Sequence, residues 1–260
     1  MDRALISCER LSDLPVLQAI AESHGMGLEL QEFADPNILD GDWRAHVARY
    51  RKALAGFPGE LTLHGAFLDL FSGSPDRQVV AIARERYRQN LTIAAELGAH
   101  VINFHANYLP LIDDPRYLTG WIERQIAFWH TLAQEAGTLG EMIVLENMWE
   151  PDPSILRRVL EGVHSPHLRA CLDVGHARVY SKLPVEVWID SLSPLLILTH
   201  LHNTKGTEDI HQAFNEGVLD MPTLLDKLRA LPRPPMFCLE LPDAASVQAS
   251  LQYLCLDRRG

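Results

Sequence analysis

Short apolar runs alternate along the chain with longer stretches whose apolar positions recur every three or four residues. The short runs, at residues 3–8, 27–33, 60–66, 100–106, 142–147, 168–174, 197–204 and 236–242, have the length and apolar character of buried strands. Between them lie patterns of helical period at 11–24, 42–57, 75–97, 115–137, 154–164, 184–193, 223–231 and 244–256. Pro75, Pro115 and Pro184 mark helix starts, where a missing N–H costs nothing, and Gly25, Gly98 and Gly137 mark stops. Eight strand–helix pairs without a break predict a parallel (β/α)8 barrel, with residues 1–260 as one domain. A doubly wound open sheet is the alternative topology.

Polar residues fall at the ends of these strands in a repeated pattern. Successive strands from the third end in Leu63-His64, Phe104-His105, Leu145-Glu146, Leu172-Asp173, His200-Leu201-His202 and Leu239-Glu240. On a strand of period two, the large apolar partner of each pair turns outward to pack under helices, so the polar partner turns into the lumen at its carboxyl end. Between Leu198 and His211 two imidazoles share one strand face, and Asp209 and His211 follow after a short polar turn. His176 lies one turn beyond Asp173 and returns to the same mouth. Burying so many ionisable groups without a counter-ion costs several kcal/mol each. Imidazole and carboxylate are the preferred ligands of borderline divalent cations, so the pattern predicts a metal centre at the barrel mouth. His64, His105, Glu146, Asp173, His176, His200, Asp209, His211 and Glu240 make nine candidate ligands, with one to three ions, Zn2+ or Mn2+, fitting the number. Whether His200 or His202 serves as the ligand stays open.

Composition narrows the picture. At 260 residues and 47% hydrophobic, the chain can bury one large core. A net charge of −11 disfavours nucleic acid and anionic membrane. Cys8, Cys171, Cys238 and Cys255 show neither paired spacing nor Cys-x-x-Cys, against a disulfide framework or a thiolate zinc site. No leader pattern opens the sequence and no apolar run is long enough to cross a bilayer, so the cytoplasm is the expected compartment.

The motifs Leu63-His64-Gly65, Asn103-Phe104-His105, Leu145-Glu146-Asn147, Cys171-Leu172-Asp173-Val174-Gly175-His176, His200-Leu201-His202-Asn203, Asp209-Ile210-His211 and Leu239-Glu240-Leu241 resemble those of the xylose isomerase-like barrels. That superfamily includes endonuclease IV and the sugar phosphate isomerases and epimerases. The endonuclease IV resemblance implies metal ligation by all nine residues above. The isomerase and epimerase branch implies a single-metal site of Glu146, Asp173, His200 or His202, and Glu240. The alignment of His-Leu-His-Asn favours His200 as the ligand and leaves His202 for substrate.

The chemistry implied is metal-dependent sugar or sugar phosphate isomerisation or epimerisation through a metal-stabilised enediolate, with Glu146 and Glu240 as acid and base. The alternative is zinc-dependent cleavage of abasic DNA, and a third is a non-catalytic metal-binding barrel. The acidic loop 34–42 stands where a DNA enzyme needs basic contacts, which favours a small-molecule partner. Phe67 and Leu68 suit an apolar wall over a small substrate, or a wedge into a duplex. Arg178 and Lys205 are candidates for an anionic or polyol end, Glu32 for a substrate hydroxyl, and Trp43 and Trp149 for the lining of the mouth. Homo-oligomerisation stays open.

Overall fold

The computed structural model describes residues 1–112 and 114–256; Asp113 and residues 257–260, the tail of the expected single unit, lie outside the described residues. Eight parallel strands close into a barrel in chain order: β1 (Ala4–Cys8), β2 (Gly27–Leu30), β3 (Leu61–His64), β4 (Val101–His105), β5 (Met142–Glu146), β6 (Leu168–Asp173), β7 (Leu196–Leu201) and β8 (Met236–Leu239). β8 pairs back onto β1, which excludes the open sheet.

The alternation expected from the strands is present. Leu63, Phe104, Leu145, Leu172, Leu201 and Leu239 face outward into the large core shared with the helices. Leu5, Val101, Val144, Cys171, Leu198, Met236 and Cys238 face inward and form a separate apolar cluster inside the barrel. Gly27 is the inward residue where β2 passes β1. A side chain there would come within 2.6 Å of Leu5 Cδ2 and 2.4 Å of the Glu60 carbonyl oxygen, so the lumen admits only glycine.

The surrounding helices are α1 (Leu14–His24), α2 (Pro36–Asp40), α3 (Trp43–Ala53), α4 (Arg77–Leu97), α5 (Pro115–Leu139), α6 (Ser154–Val163), α7 (Val174–Tyr180), α8 (Val185–Leu192), α9 (Met221–Arg229) and α10 (Ala244–Ser250). Asp76 and Asp114 cap α4 and α5, their carboxylates accepting the N–H groups of Gln78 and Arg116 at 2.8 Å. Trp129 of α5 stacks on Tyr87 of α4, centroids 5.3 Å apart.

Some boundaries differ from the sequence expectation. α5 runs through Gly137 and stops at Gly140, in the left-handed conformation at φ 75°. Gly137 is small for another reason, since a side chain there would meet the His167 ring at 2.8 Å. β2 ends at Leu30 rather than 33, giving way to a 3-10 turn (Glu32–Ala34) and the unforeseen α2. α7 was also unforeseen, and it begins directly on a candidate ligand, Asp173. Among the described residues no helix is long and apolar enough to cross a membrane.

Candidate metal centre

Strand register delivers the inward side chains to one end of the barrel. His105 lies beside Glu146 on the neighbouring strand, and Asp173 beside His200. Glu146, 1% exposed, is the hub. Its Oε2 lies 3.7 Å from His64 Nε2, 3.5 Å from His105 Nε2 and 3.2 Å from His200 Nδ1, while Oε1 lies 3.3 Å from His176 Nδ1. Asn103, inward on β4, donates its side-chain amide to the same carboxylate. His200 Nδ1 is also 3.0 Å from Glu240 Oε2. Gln31 donates to the other oxygen of Glu240 at 2.6 Å.

Local folding places the remaining members. Asp173 ends β6 and caps α7, its Oδ1 accepting the His176 N–H at 2.5 Å. The cap turns His176 back over the mouth, where Nε2 reaches Asp209 Oδ2 at 3.2 Å. Asn147 holds Asp173 from the next strand end, donating to its carbonyl at 3.0 Å and accepting its N–H at 2.9 Å. His211 meets Asp209 at 3.5 Å and stacks on His202 with centroids 3.9 Å apart.

Opposing charges set the protonation of the ring. Burial works against the charge on Glu146, but the imidazoles of His105, His200 and His176 hold its carboxyl well below the usual carboxylate range. Burial likewise opposes protonation of His176, yet Asp173, Asp209 and Glu146 raise it well above the ordinary imidazole value. His211 is lifted to about 9 against its own burial, by Asp209 and Glu240. His105 goes the other way, to about 4, because burial outweighs the pull of Glu146.

The donor set fits a cation. Both ring nitrogens of His200, His105 Nδ1 and Glu240 Oε2 are buried and make no well-angled hydrogen bond, although His200 and Glu240 approach to 3.0 Å. His200 Nδ1 and Glu240 Oε2 converge without bonding one another, as ligand atoms do around an ion. Ligand atoms of His64, His105 and Glu146 lie within 4.8 Å of one another, as do those of His176, Asp209 and His211. His200 and Glu146 belong to a further such group with Cys171.

A cavity of about 660 Å³ opens above the ring. Its wall includes Glu146, Glu240, His64, His105, His176, Asp209 and His211. Phe67 covers the His64 and His105 rings at 5.4 and 5.0 Å, with exposed Leu68 beside it.

Arg178, Lys205, His202 and Trp43 lie away from the cavity wall, whereas Glu32 reaches it from outside the strand. Arg178 and Lys205 are exposed and neither is on the cavity wall; among the described residues Arg10, which no motif marks, is the one Arg or Lys on it. Glu32 reaches the wall, but the strand has ended before it. Its carboxylate accepts from Leu11 N–H at 2.8 Å and Tyr50 O–H at 2.7 Å, and pairs with His46 at 3.0 Å. Glu29 and Gln31 are the inward residues of that segment, a parity that the alternation from Gly27 onward contains. His202 is fully buried beneath the wall, with Nε2 at 3.2 and 3.1 Å from the two oxygens of Asp173. Trp43 is not on the wall and lies under Arg44, 4.2 Å from its ring centroid.

A closed parallel barrel with an acid and imidazole ring at its carboxyl mouth defines the class. A model of the xylose isomerase-like TIM barrel family matches residues 17–256, and the chain belongs to that family. The TTHB071 protein from Thermus thermophilus, in a structure from a ZnCl2 soak, is 30% identical with a TM-score of 0.76, covering 97% of this chain and 98% of that one. A D-tagatose 3-epimerase-like protein has a TM-score of 0.81 at 19% identity, covering 96% of each chain. An uncharacterized protein of Methanocaldococcus jannaschii is 26% identical over 183 residues, 66% of this chain; the match spans 61% of that relative's length.

Proposed function

We propose that the chain is a metal-dependent isomerase or epimerase of a sugar or sugar phosphate, acting by proton transfer between carbon and carboxylate. One observation carries the reading. Glu146 Oε2 and Glu240 Oε2 approach the same ring atom, His200 Nδ1, at 3.2 and 3.0 Å, and both carboxylates line the cavity. Two carboxylates of the cavity wall therefore converge on one buried point beneath it. A cavity of about 660 Å³ is of the size that encloses a small molecule.

Glu146, Asp173, His200 and Glu240 would hold a divalent cation, which would stabilise the negative charge that develops on the substrate oxygens. One carboxylate takes the C–H proton from one face of the substrate carbon, and the other returns a proton to the opposite face or to the neighbouring carbon. His64 and His105 contact the hub carboxylate and bound the floor. Phe67 keeps water from that side. The barrel shared with a D-tagatose 3-epimerase-like protein supports this reading at the level of fold.

A second reading has its own support. The His64–His105–Glu146 and His176–Asp209–His211 groups offer more ligand atoms than one cation needs. Three bound cations suit phosphodiester hydrolysis. Metal analysis of the purified chain, run beside two assays, separates the readings. Proton transfer requires metal-dependent wash-in of solvent deuterium at a sugar carbon. Hydrolysis requires three zinc per chain and nicking of abasic duplex in low salt. Neither activity in the fully loaded protein leaves a binding barrel.

A further inference from the structure

Glu29 stands directly behind His200, outside the nine residues that the sequence singles out. It is inward on β2 and 0% exposed, and its Oε2 accepts from Thr62 Oγ1 at 3.2 Å on the adjoining strand. Its other oxygen, Oε1, has no well-angled hydrogen bond and lies 3.0 Å from His200 Nε2. The opposite ring atom, Nδ1, is the one that faces Glu146 and Glu240. One oxygen of this buried carboxylate is anchored and the other is presented to an imidazole, with Cys238 the further potential ligand within 4.8 Å, and neither contact serves the fold in an evident way. A leucine would fill its place among the apolar residues of the lumen.

We infer that Glu29 is a positioning residue, which accepts the Nε2–H of His200 and so commits the Nδ1 lone pair to a cation at the barrel mouth. A ring that binds metal through one nitrogen keeps its proton on the other, and the acceptor of that proton fixes both the tautomer and the ring plane. A cation at Nδ1 would need that nitrogen free of hydrogen, which leaves the ring N–H on Nε2, facing Glu29. The inference rests on the metal-holding part of the proposed function and not on the identity of the substrate.

The test uses the full chain with Glu29→Leu and Glu29→Gln. His200 is followed by its own 15N and 1H ring shifts during a zinc titration against a competing chelator. Glu29→Leu should keep the barrel by circular dichroism and melt no lower than wild type. Zinc affinity at His200 should fall roughly 10- to 100-fold. The zinc-loaded ring should lose its single Nε2–H tautomer. Glu29→Gln, whose amide oxygen still accepts, should fall less. Unchanged affinity and tautomer in Glu29→Leu would overturn the assignment; if that variant fails to fold, the same result in Glu29→Ala, which also lacks an acceptor, does so. A thiolate-to-cobalt charge-transfer band that vanishes in Cys238→Ser would also overturn it, because Glu29, His200 and Cys238 would then be ligands together. Intact zinc binding without solvent exchange into any sugar sinks the proposed chemistry and leaves Glu29 its role.

Discussion

In the lower lumen Val101, Val144, Leu198 and Met236 fill the barrel with hydrocarbon. Two residues further along three of those strands stand Asn103, Glu146 and His200, polar or ionisable groups of the mouth or its support, while Met236 is followed by Cys238, still in the apolar cluster. That step is only about 6.6 Å along a strand, yet it crosses from dispersion to charge. The backbone is the same on both sides of the boundary, so the division is written wholly in side chains. It also has a physical consequence: an apolar floor keeps water from reaching the ring from below, which strengthens every electrostatic contact above it.

If the upper half carries chemistry and the lower half carries stability, variants should separate the two. The largest effect is expected from Glu240→Gln, which keeps shape but cannot take a proton. Solvent exchange should drop by about 10²- to 10⁴-fold with the circular dichroism spectrum unchanged. Full exchange in that variant would remove Glu240 from the mechanism. Leu198→Ala in the floor should cost roughly 2–5 kcal/mol in urea unfolding while leaving zinc affinity as it was. Loss of zinc without loss of stability would show that the halves are not separable.

The smallest effect concerns Glu141, at the foot of β5. Both of its carboxyl oxygens are buried without a hydrogen-bond partner, in contrast to the acids of the mouth with their imidazoles. Burial pushes this carboxyl up to about 8. A raised acid favours the folded state below its ordinary value of 4.5, and that advantage is lost as pH rises through about 8. Glu141→Gln should therefore be more stable than wild type at pH 9, by about 1–3 kcal/mol, and the gap should narrow toward pH 4. Parallel stability curves for the two proteins would show that Glu141 finds a partner in solution.

Much of this was legible before the structure, because a strand alternates strictly. Once Leu63, Leu145 and Leu239 are given to the helices, His64, Glu146 and Glu240 have only the lumen. Glu29 was missed because inward parity depends on where a strand starts and ends. With β2 carried on to residue 33, Glu32 appeared to close it, whereas the chain leaves the sheet after Leu30. The resemblance leaves His202 for substrate and period two puts it on the strand face of His200, but a shared face says nothing about depth, and His202 is sealed beneath His211. Arg178 and Lys205 sit on a short helix and a loop whose direction follows from tertiary packing, so neither could be aimed from sequence. α7 escaped notice because its seven residues are too few for a periodic signal, and its start is set by Asp173 itself.

Gly175 carries a constraint on how this chain can diverge. A side chain at that position would come within 2.0 Å of His202 Cε1, so the Asp173–His202 contact exists only because residue 175 has none. Descendants are free to gain a side chain at 175 only if 202 shrinks or swings away in the same lineage, so the two positions drift as a linked pair.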